Sequence, residues 1–282
     1  SVTATTNKWI INGVVECKNE IDKALSQYRF NDASAAIYRF VYGTFCDWYL
    51  ESVKPTIETD ATQQAILGAG LDLALRMTHP ICPFITEALW PHVQGARKGT
   101  IAGLDLPYSE LITLAAWPTF EAGLIDEAAE ATVKRSQQLV GSIRQLRAER
   151  QVKPRQLVTL HLDPVTETLI AEADGLIETS AGIGRVVPLT EGRPQVSSSL
   201  TFEGVEVVLS GLTDVVDLDA ERKRLERELD SHRQKVSNLE GRLANSSYVD
   251  KAPAHLVQET RDQLEAAKAD LAASESALAG LE

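Results

Sequence analysis

No run of about 20 apolar residues occurs in the 282-residue sequence, so no helix is predicted to cross a bilayer. The first residues lack a basic patch followed by an apolar stretch, which argues against a secretory signal and favours a cytoplasmic setting. Cysteine is scarce. Cys17, Cys46 and Cys82 stand far apart in apolar surroundings without Cys-x-x-Cys spacing, and they read as buried free thiols rather than as a metal or redox centre. The histidines are scattered, and Pro80 interrupts the one that approaches a cysteine, His79 near Cys82. A glycine-rich phosphate loop is missing too: Gly182-Ile183-Gly184 has no third glycine and no strand-to-helix turn before it. Carboxylates abound, but none converges with a histidine in a cleft signature. No catalytic residue, metal ligand or cofactor site is therefore predicted.

Positive charge is also in deficit. Lys and Arg number 28 against 40 Asp and Glu, a formal charge of −12, and taken as one bulk number this argues against binding nucleic acid. Its distribution reverses that argument. From Lys134 to Arg155 there are seven basic residues and a single acid, Glu149. Arg144, Arg147 and Arg150 recur every third residue along one flank of a helix, and Lys153 and Arg155 extend the run, a spacing at which guanidinium forks can grip successive phosphates. The bland alternative is a solvated helix face.

What is present is mostly helix. The length suits two or three domains, and the 44% hydrophobic content is that of a globular protein. Ile10, Val14, Cys17, Ile21, Leu25 and Tyr28 fall on one helical face. Asn31 and Asp32 offer caps for a second helix with the stripe Ala33, Ile37, Phe40, Val41, Phe45 and Trp48, closed by Pro55. A third helix follows Asp60 with Ile66, Leu67, Leu71, Ala74 and Leu75 inward, and Pro83 opens a fourth carrying Phe84, Ile85, Leu89 and Trp90. These make a bundle. The Gly- and Pro-rich stretch 95–118 reads as a connection with a candidate strand at Leu111 to Ala115. A long helix from Leu124 to Arg150 follows, with Val133, Val140, Ile143 and Leu146 inward. A small α+β unit then has strand candidates at Leu157 to Leu162, Arg185 to Leu189 and Val205 to Leu209, with a short helix after Asp163-Pro164.

The last section carries a leucine seam. Leu218, Leu225, Leu229, His232, Val236, Leu239 and Leu243 follow coiled-coil spacing, and after a break containing Pro253 the pattern resumes as Val257, Thr260, Leu264, Ala267, Leu271, Ser274, Leu278 and Leu281. Equal arms around a turn predict an antiparallel hairpin rather than one continuous dimerising helix. Its first arm holds seven basic residues against six acids and its second two against six, so Arg233, Lys235 and Arg242, with Lys251 in the turn, are the candidate phosphate contacts. Tyr248 at the turn either packs there or stacks on a base, packing being preferred.

The segments NKWIINGVVECKNEIDKALSQYRFNDASAAIYRFVYGTFCDWYLESVKP and MTHPICPFITEALW resemble the anticodon-binding helical domain shared by the valyl, isoleucyl and leucyl class I tRNA synthetases. SIRQLRAERQVKP, NSSYVDKAPAHLVQETR and the leucine hairpin are similar to the C-terminal part of bacterial valyl-tRNA synthetases, and the KAPAHLV turn points to that branch. The resemblance covers nearly the whole chain. It implies a mainly α protein of three parts: an anticodon-binding bundle over 1–120, a basic helix with a small α+β domain over 121–212, and an antiparallel coiled-coil arm over 213–282. It implies contact with the anticodon arm and elbow of a valine-accepting tRNA, with Arg261 added to the candidate contacts. The His-Ile-Gly-His and Lys-Met-Ser-Lys-Ser signatures of the catalytic domain are absent, so adenylation, valine transfer and editing are not expected on these residues. ATP and Mg belong to the full-length enzyme alone. A monomer joined to the rest of a synthetase chain, off the membrane, is the expected state. The alternatives are a coiled-coil protein-protein adaptor, or the tRNA-binding part of a related isoleucyl or leucyl synthetase.

Overall fold

The computed structural model describes residues 3–96, 103–121, 123–189, 194, 196–212 and 218–279. The fold is mainly helical, as the sequence predicts, with a four-stranded sheet and a separate two-stranded pairing among the described residues. Two compact units partition it, residues 1–137 with 170–180, and residues 138–169 with 181–282.

The first unit contains α1 (Thr5–Ser26), α2 (Phe30–Tyr38), a π-helical stretch (Arg39–Leu50), α3 (Glu51–Val53), α4 (Ala61–Thr78) and α5 (Pro83–Ala96). Ile10, Val14, Cys17 and Ile21 are buried on the predicted face of α1, where burial pushes the Cys17 thiol up to about 12. Cys46 is half-buried and Cys82 exposed, so only one of the three cysteines is a core thiol. Tyr28 also departs from the reading: it lies beyond the end of α1 at φ +57 and is 83% exposed.

The second predicted stripe holds at Ala33, Phe40 and Phe45 and departs at Ile37, Val41 and Trp48. Its inward residues are Ala33, Ala36, Phe40, Phe45, Tyr49 and Val53. The five-residue step from Phe40 to Phe45 belongs to the wider π turn, so regular α spacing points to Trp48 where the chain buries Tyr49. Tyr49 donates its hydroxyl to Asn7 Oδ1 at 3.1 Å. Asn31 and Asp32 do not cap either, because the helix has already begun at Phe30; Asp32 pairs with Arg29 instead.

Asp60 does cap α4, its Oδ1 accepting from the Thr62 and Gln63 amides at 2.8 and 3.0 Å. The inward face of α4 is rotated from the predicted one: Ile66, Ala69, Gly70, Leu73 and Met77 are buried while Leu71 is exposed. Two observations explain the rotation. A Cβ at Gly70 would lie 2.8 Å from the Phe45 ring, so this position is where the helix backbone comes closest to the π stretch. The interior also takes in an ion pair, Asp72 with Arg76 at 2.5 Å, which a pattern reading assigns to solvent. Arg76 further donates to the Ala116 and Pro107 carbonyls and lies 5.0 Å over the Trp90 ring, and Gln94 donates to the second Asp72 oxygen. On α5 only Trp90 of the predicted apolar set is buried; Phe84, Ile85 and Leu89 are exposed. Leu111 to Ala115 forms no strand but a 3-10 turn at Ile112–Leu114, near the short pairing of β1 (Leu104–Asp105) with β2 (Thr119–Phe120).

The long helix α6 (Glu127–Glu149) buries Val133, Val140, Ile143 and Leu146 as predicted. In the second unit the strands are β3 (Val158–Leu162), β4 (Ile183–Pro188), β5 (Ser197–Phe202) and β6 (Val205–Ser210), in the order β4-β3-β6-β5. The β3–β4 pair is parallel and the others antiparallel. Helix α7 (Pro164–Glu172) follows Asp163-Pro164 as expected, and α8 (Leu176–Ala181) precedes β4. Strand β5 escapes a reading for alternation because its serines, like its apolar residues, are buried. Glu203 and Gly204, at φ +48 and +78, make the two-residue turn joining β5 to β6, a backbone shape that matches strand twist.

The C-terminal hairpin is α9 (Leu218–Ala244), a short α10 (Ser246–Lys251) capped by Asn245, and α11 (Ala254–Ala279). The arms are antiparallel: Arg233 meets Glu275, Glu240 meets Lys268, and Tyr248 meets Thr260. Leu225, Leu229, Val236, Val257, Thr260, Leu264, Ala267 and Ser274 fill the seam. The Leu218 side chain and Leu281 lie outside the described residues.

Candidate nucleic-acid interface

The basic run at the end of α6 does not stay on one surface. Gln151 at φ +54 and Pro154 end the helix, and the returning chain wraps around Arg147. Its guanidinium donates to the carbonyls of Gly182 (3.4 Å), Lys153 (3.4 Å) and Gln156 (2.8 Å) and is 9% exposed. Gly182, at φ +67, sits so close that a Cβ there would come within 3.3 Å of the guanidinium. Burial lowers the Arg147 pKa from its ordinary value. The residue is thus a staple for the loop after α6, and its expected place in a phosphate-gripping row is corrected: a three-residue spacing cannot tell the edge of a helix from the side the chain folds back over. Arg144, Lys153 and Arg155 are exposed and Arg150 is half-buried.

The candidate residues on the hairpin divide in the same way. Arg233 lies between Asp230 (3.9 Å) and Glu275 (3.3 Å), so its charge is offset across the arms. Arg242 stacks 4.4 Å above the Tyr248 ring. The Tyr248 hydroxyl donates to the Leu256 carbonyl at 3.2 Å and meets Thr260 Oγ1 at 2.8 Å, which makes the tyrosine a packing element of the turn. Lys235, Lys251 and Arg261 are exposed. The exposed members of the basic candidates are therefore Arg144, Lys153 and Arg155 near the end of α6, and Lys235, Arg242, Lys251 and Arg261 toward the tip of the hairpin.

Sequence reasoning missed the root of the hairpin. Arg224 donates to Glu228 at 2.9 Å and to the Ser199 carbonyl, while Glu228 accepts from the Thr201 amide at 3.1 Å. Ser274 meets Thr201 Oγ1 at 3.1 Å and His232 Nδ1 at 2.7 Å, and Asp270 accepts from the Gly204 amide at 2.8 Å. Both arms are thereby bound to the β5–β6 edge. The polar seam residues His232 and Ser274 were the available signal, since a polar residue in a coiled-coil core needs a partner. Among the described residues no three His, Cys, Asp or Glu side chains gather where they could hold a metal, and no helix is long and apolar enough to cross a membrane.

Two family models match this chain. The anticodon-binding domain of tRNA ligases matches residues 7–162, and the valyl tRNA synthetase tRNA binding arm matches residues 217–282. The valine–tRNA ligase of Thermotoga maritima is 35% identical over 282 residues, covering 99% of this chain and 31% of that protein. That of Cereibacter sphaeroides is 35% identical over 288 residues, covering 100% and 28%, and that of Nocardia farcinica 33% identical over 287 residues, covering 98% and 30%. The chain thus spans less than a third of the length of the curated relatives it matches.

Proposed function

Because the chain belongs to the anticodon-binding domain family of tRNA ligases, we propose that it grips a valine-accepting tRNA and so supports aminoacylation performed by the rest of a longer synthetase. The helical unit takes the anticodon arm and the hairpin takes the tRNA elbow, with the basic end of α6 contacting backbone phosphates. The three working regions are 1–120, 121–212 and 213–282. ATP and Mg serve the catalytic part alone, and the protein works as a monomer in the cytoplasm.

The observation that carries this reading is the exposed cationic set toward the hairpin tip, on the arm that matches a tRNA-binding arm. Phosphate contacts release condensed counterions, so affinity falls with salt by nearly one log unit per contact. Titration of the chain with a tRNA transcript at several salt concentrations tests this. A log-log slope of roughly −4 is expected for five or six contacts, and the Lys235/Lys251/Arg261→Ala triple variant should flatten it by about 2 to 3. Binding that does not respond to salt overturns the reading.

A further inference from the structure

Between the last turns of α6 and the hairpin root lies a cleft of about 410 Å³, lined by Ser142, Gln145, Leu146 and Glu149 on one side, Leu200 and Thr201 at the edge of the sheet, and Arg224, Arg227, Glu228, Ser231 and His232 on α9. We propose that this cleft is an additional RNA site that takes one backbone phosphodiester, with Arg227 as its principal ligand. The inference rests on the tRNA-binding reading above and adds a contact at the base of the arm, away from its tip.

Two acids line the cleft; the charge of Glu228 is offset by Arg224, while Glu149 meets only a neutral amide among the described residues. Glu228 accepts from Arg224 and from the Thr201 amide, and Glu149 accepts from Gln145 at 3.0 Å. Arg224 is in turn committed to Glu228 and the Ser199 carbonyl. Arg227 differs: it is exposed, and its only hydrogen bond among the described residues runs from Nε to the Lys223 carbonyl of its own helix, at 3.2 Å. Its two terminal nitrogens are left to a ligand, in the parallel geometry that suits a phosphate. His232 has Nδ1 tied to Ser274, so Nε2 is the ring nitrogen that remains, and Ser231 adds a hydroxyl donor, while the Ser142 hydroxyl on the facing wall donates to the Gln138 carbonyl.

Among the described residues no Phe, Tyr or Trp lines the cleft, so it is built to read charge and shape more than bases. A polyanion is favoured over a small anion because exposed Lys223, one turn before Arg227 on α9, continues the positive surface beyond the cleft.

The test compares the full chain with its Arg227→Ala, Arg227→Lys and Ser142→Asp variants in salt titrations against a tRNA transcript. Folding is checked by circular dichroism, and inorganic phosphate serves as competitor. Arg227→Ala should weaken binding about tenfold and reduce the salt slope by about 1, with Arg227→Lys recovering part of each. Ser142→Asp should weaken binding by introducing a like charge on the facing wall. Millimolar phosphate should compete poorly. A wild-type slope and affinity in Arg227→Ala, or undiminished binding in Ser142→Asp, overturns the cleft as a site; full displacement by phosphate assigns it to a small anion and overturns the RNA proposal. Salt-independent binding by the unaltered chain defeats the broader tRNA reading, so the two failures are distinguishable.

Discussion

At its root the hairpin turns Arg224, Glu228, Asp270 and Ser274 onto the sheet, whereas toward its tip it leaves Lys235, Lys251 and Arg261 in solvent. The root holds Arg224, Glu228, His232, Asp270 and Ser274 in hydrogen bonds with β5, β6 or one another, and Gly204 of the β5–β6 turn approaches α11 so closely that a Cβ would lie 2.9 Å from that of Ala269. The tip has Tyr248 and the Asn245 cap to order it, and its Lys235, Lys251 and Arg261 are exposed. The same residue types do structural work at one end and face solvent at the other. What separates them is whether a second element is near enough to supply acceptors. A long arm fixed at one end can place a charged tip against a folded polyanion without losing freedom to adjust there.

The end of α6 repeats this division within two turns and gives its most severe test. Removing the Arg147 side chain takes a donor from three carbonyls; those of Gly182 and Lys153 keep the amides of Val158 and Gln156, the Gln156 carbonyl is orphaned at a cost on the order of 1 kcal/mol or more, and the lost packing of a buried side chain adds to it. Arg147→Ala should therefore lose about 2–3 kcal/mol in urea unfolding, while Arg144→Ala, at an exposed position of the same helix, should stay within about 0.5 kcal/mol. Equal costs at the two positions would erase the distinction between a staple and a surface cation.

The root itself can be loosened. Glu228→Ala removes the acceptor of the Thr201 amide and leaves Arg224 half-buried with one fewer partner, for a cost of about 1–2 kcal/mol. Gly204→Val combines a disfavoured φ of +78 with the clash against Ala269 and should cost about 2 kcal/mol. Either variant should raise hydrogen exchange in the basal turns of both arms. Exchange confined to the tip would show that the sheet does not hold the hairpin.

The seam and its turn were legible because leucine spacing, Pro253 and the charge imbalance between arms are all local signals. The staple was not, since Arg147 differs from Arg144 only in what the chain does thirty-five residues later, when Gly182 passes beneath it. Likewise the pattern of α4 could not reveal that Asp72 and Arg76 turn inward, because the acceptors that make this tolerable, at Pro107 and Ala116, lie in a Pro-rich stretch with no periodicity to read. The π stretch is a third case, where one extra residue in a turn moves the stripe from Trp48 to Tyr49. Lys235, Lys251 and Arg261 are exposed for a simple reason: they stand on a two-helix rod, where few positions can be buried at all.

The mildest probe acts on the tip alone. Tyr248→Phe keeps the ring under Arg242 and deletes the hydroxyl that meets the Leu256 carbonyl and Thr260, a loss of about 1 kcal/mol. In a uniformly cooperative hairpin that loss would lower the global unfolding midpoint. In a hairpin fixed at its root and free at its tip, it should instead appear as local opening. Amide protection over Ser246–Lys251 should fall about fivefold, the equivalent of 1 kcal/mol, with the global midpoint within error of the parent. Arg242→Gln, which removes the cation above the ring, should have about half that effect, measured in the same amides. A global destabilisation by Tyr248→Phe as large as that of Glu228→Ala would mean that root and tip unfold as one, and the tip would then have no independent freedom with which to fit a partner.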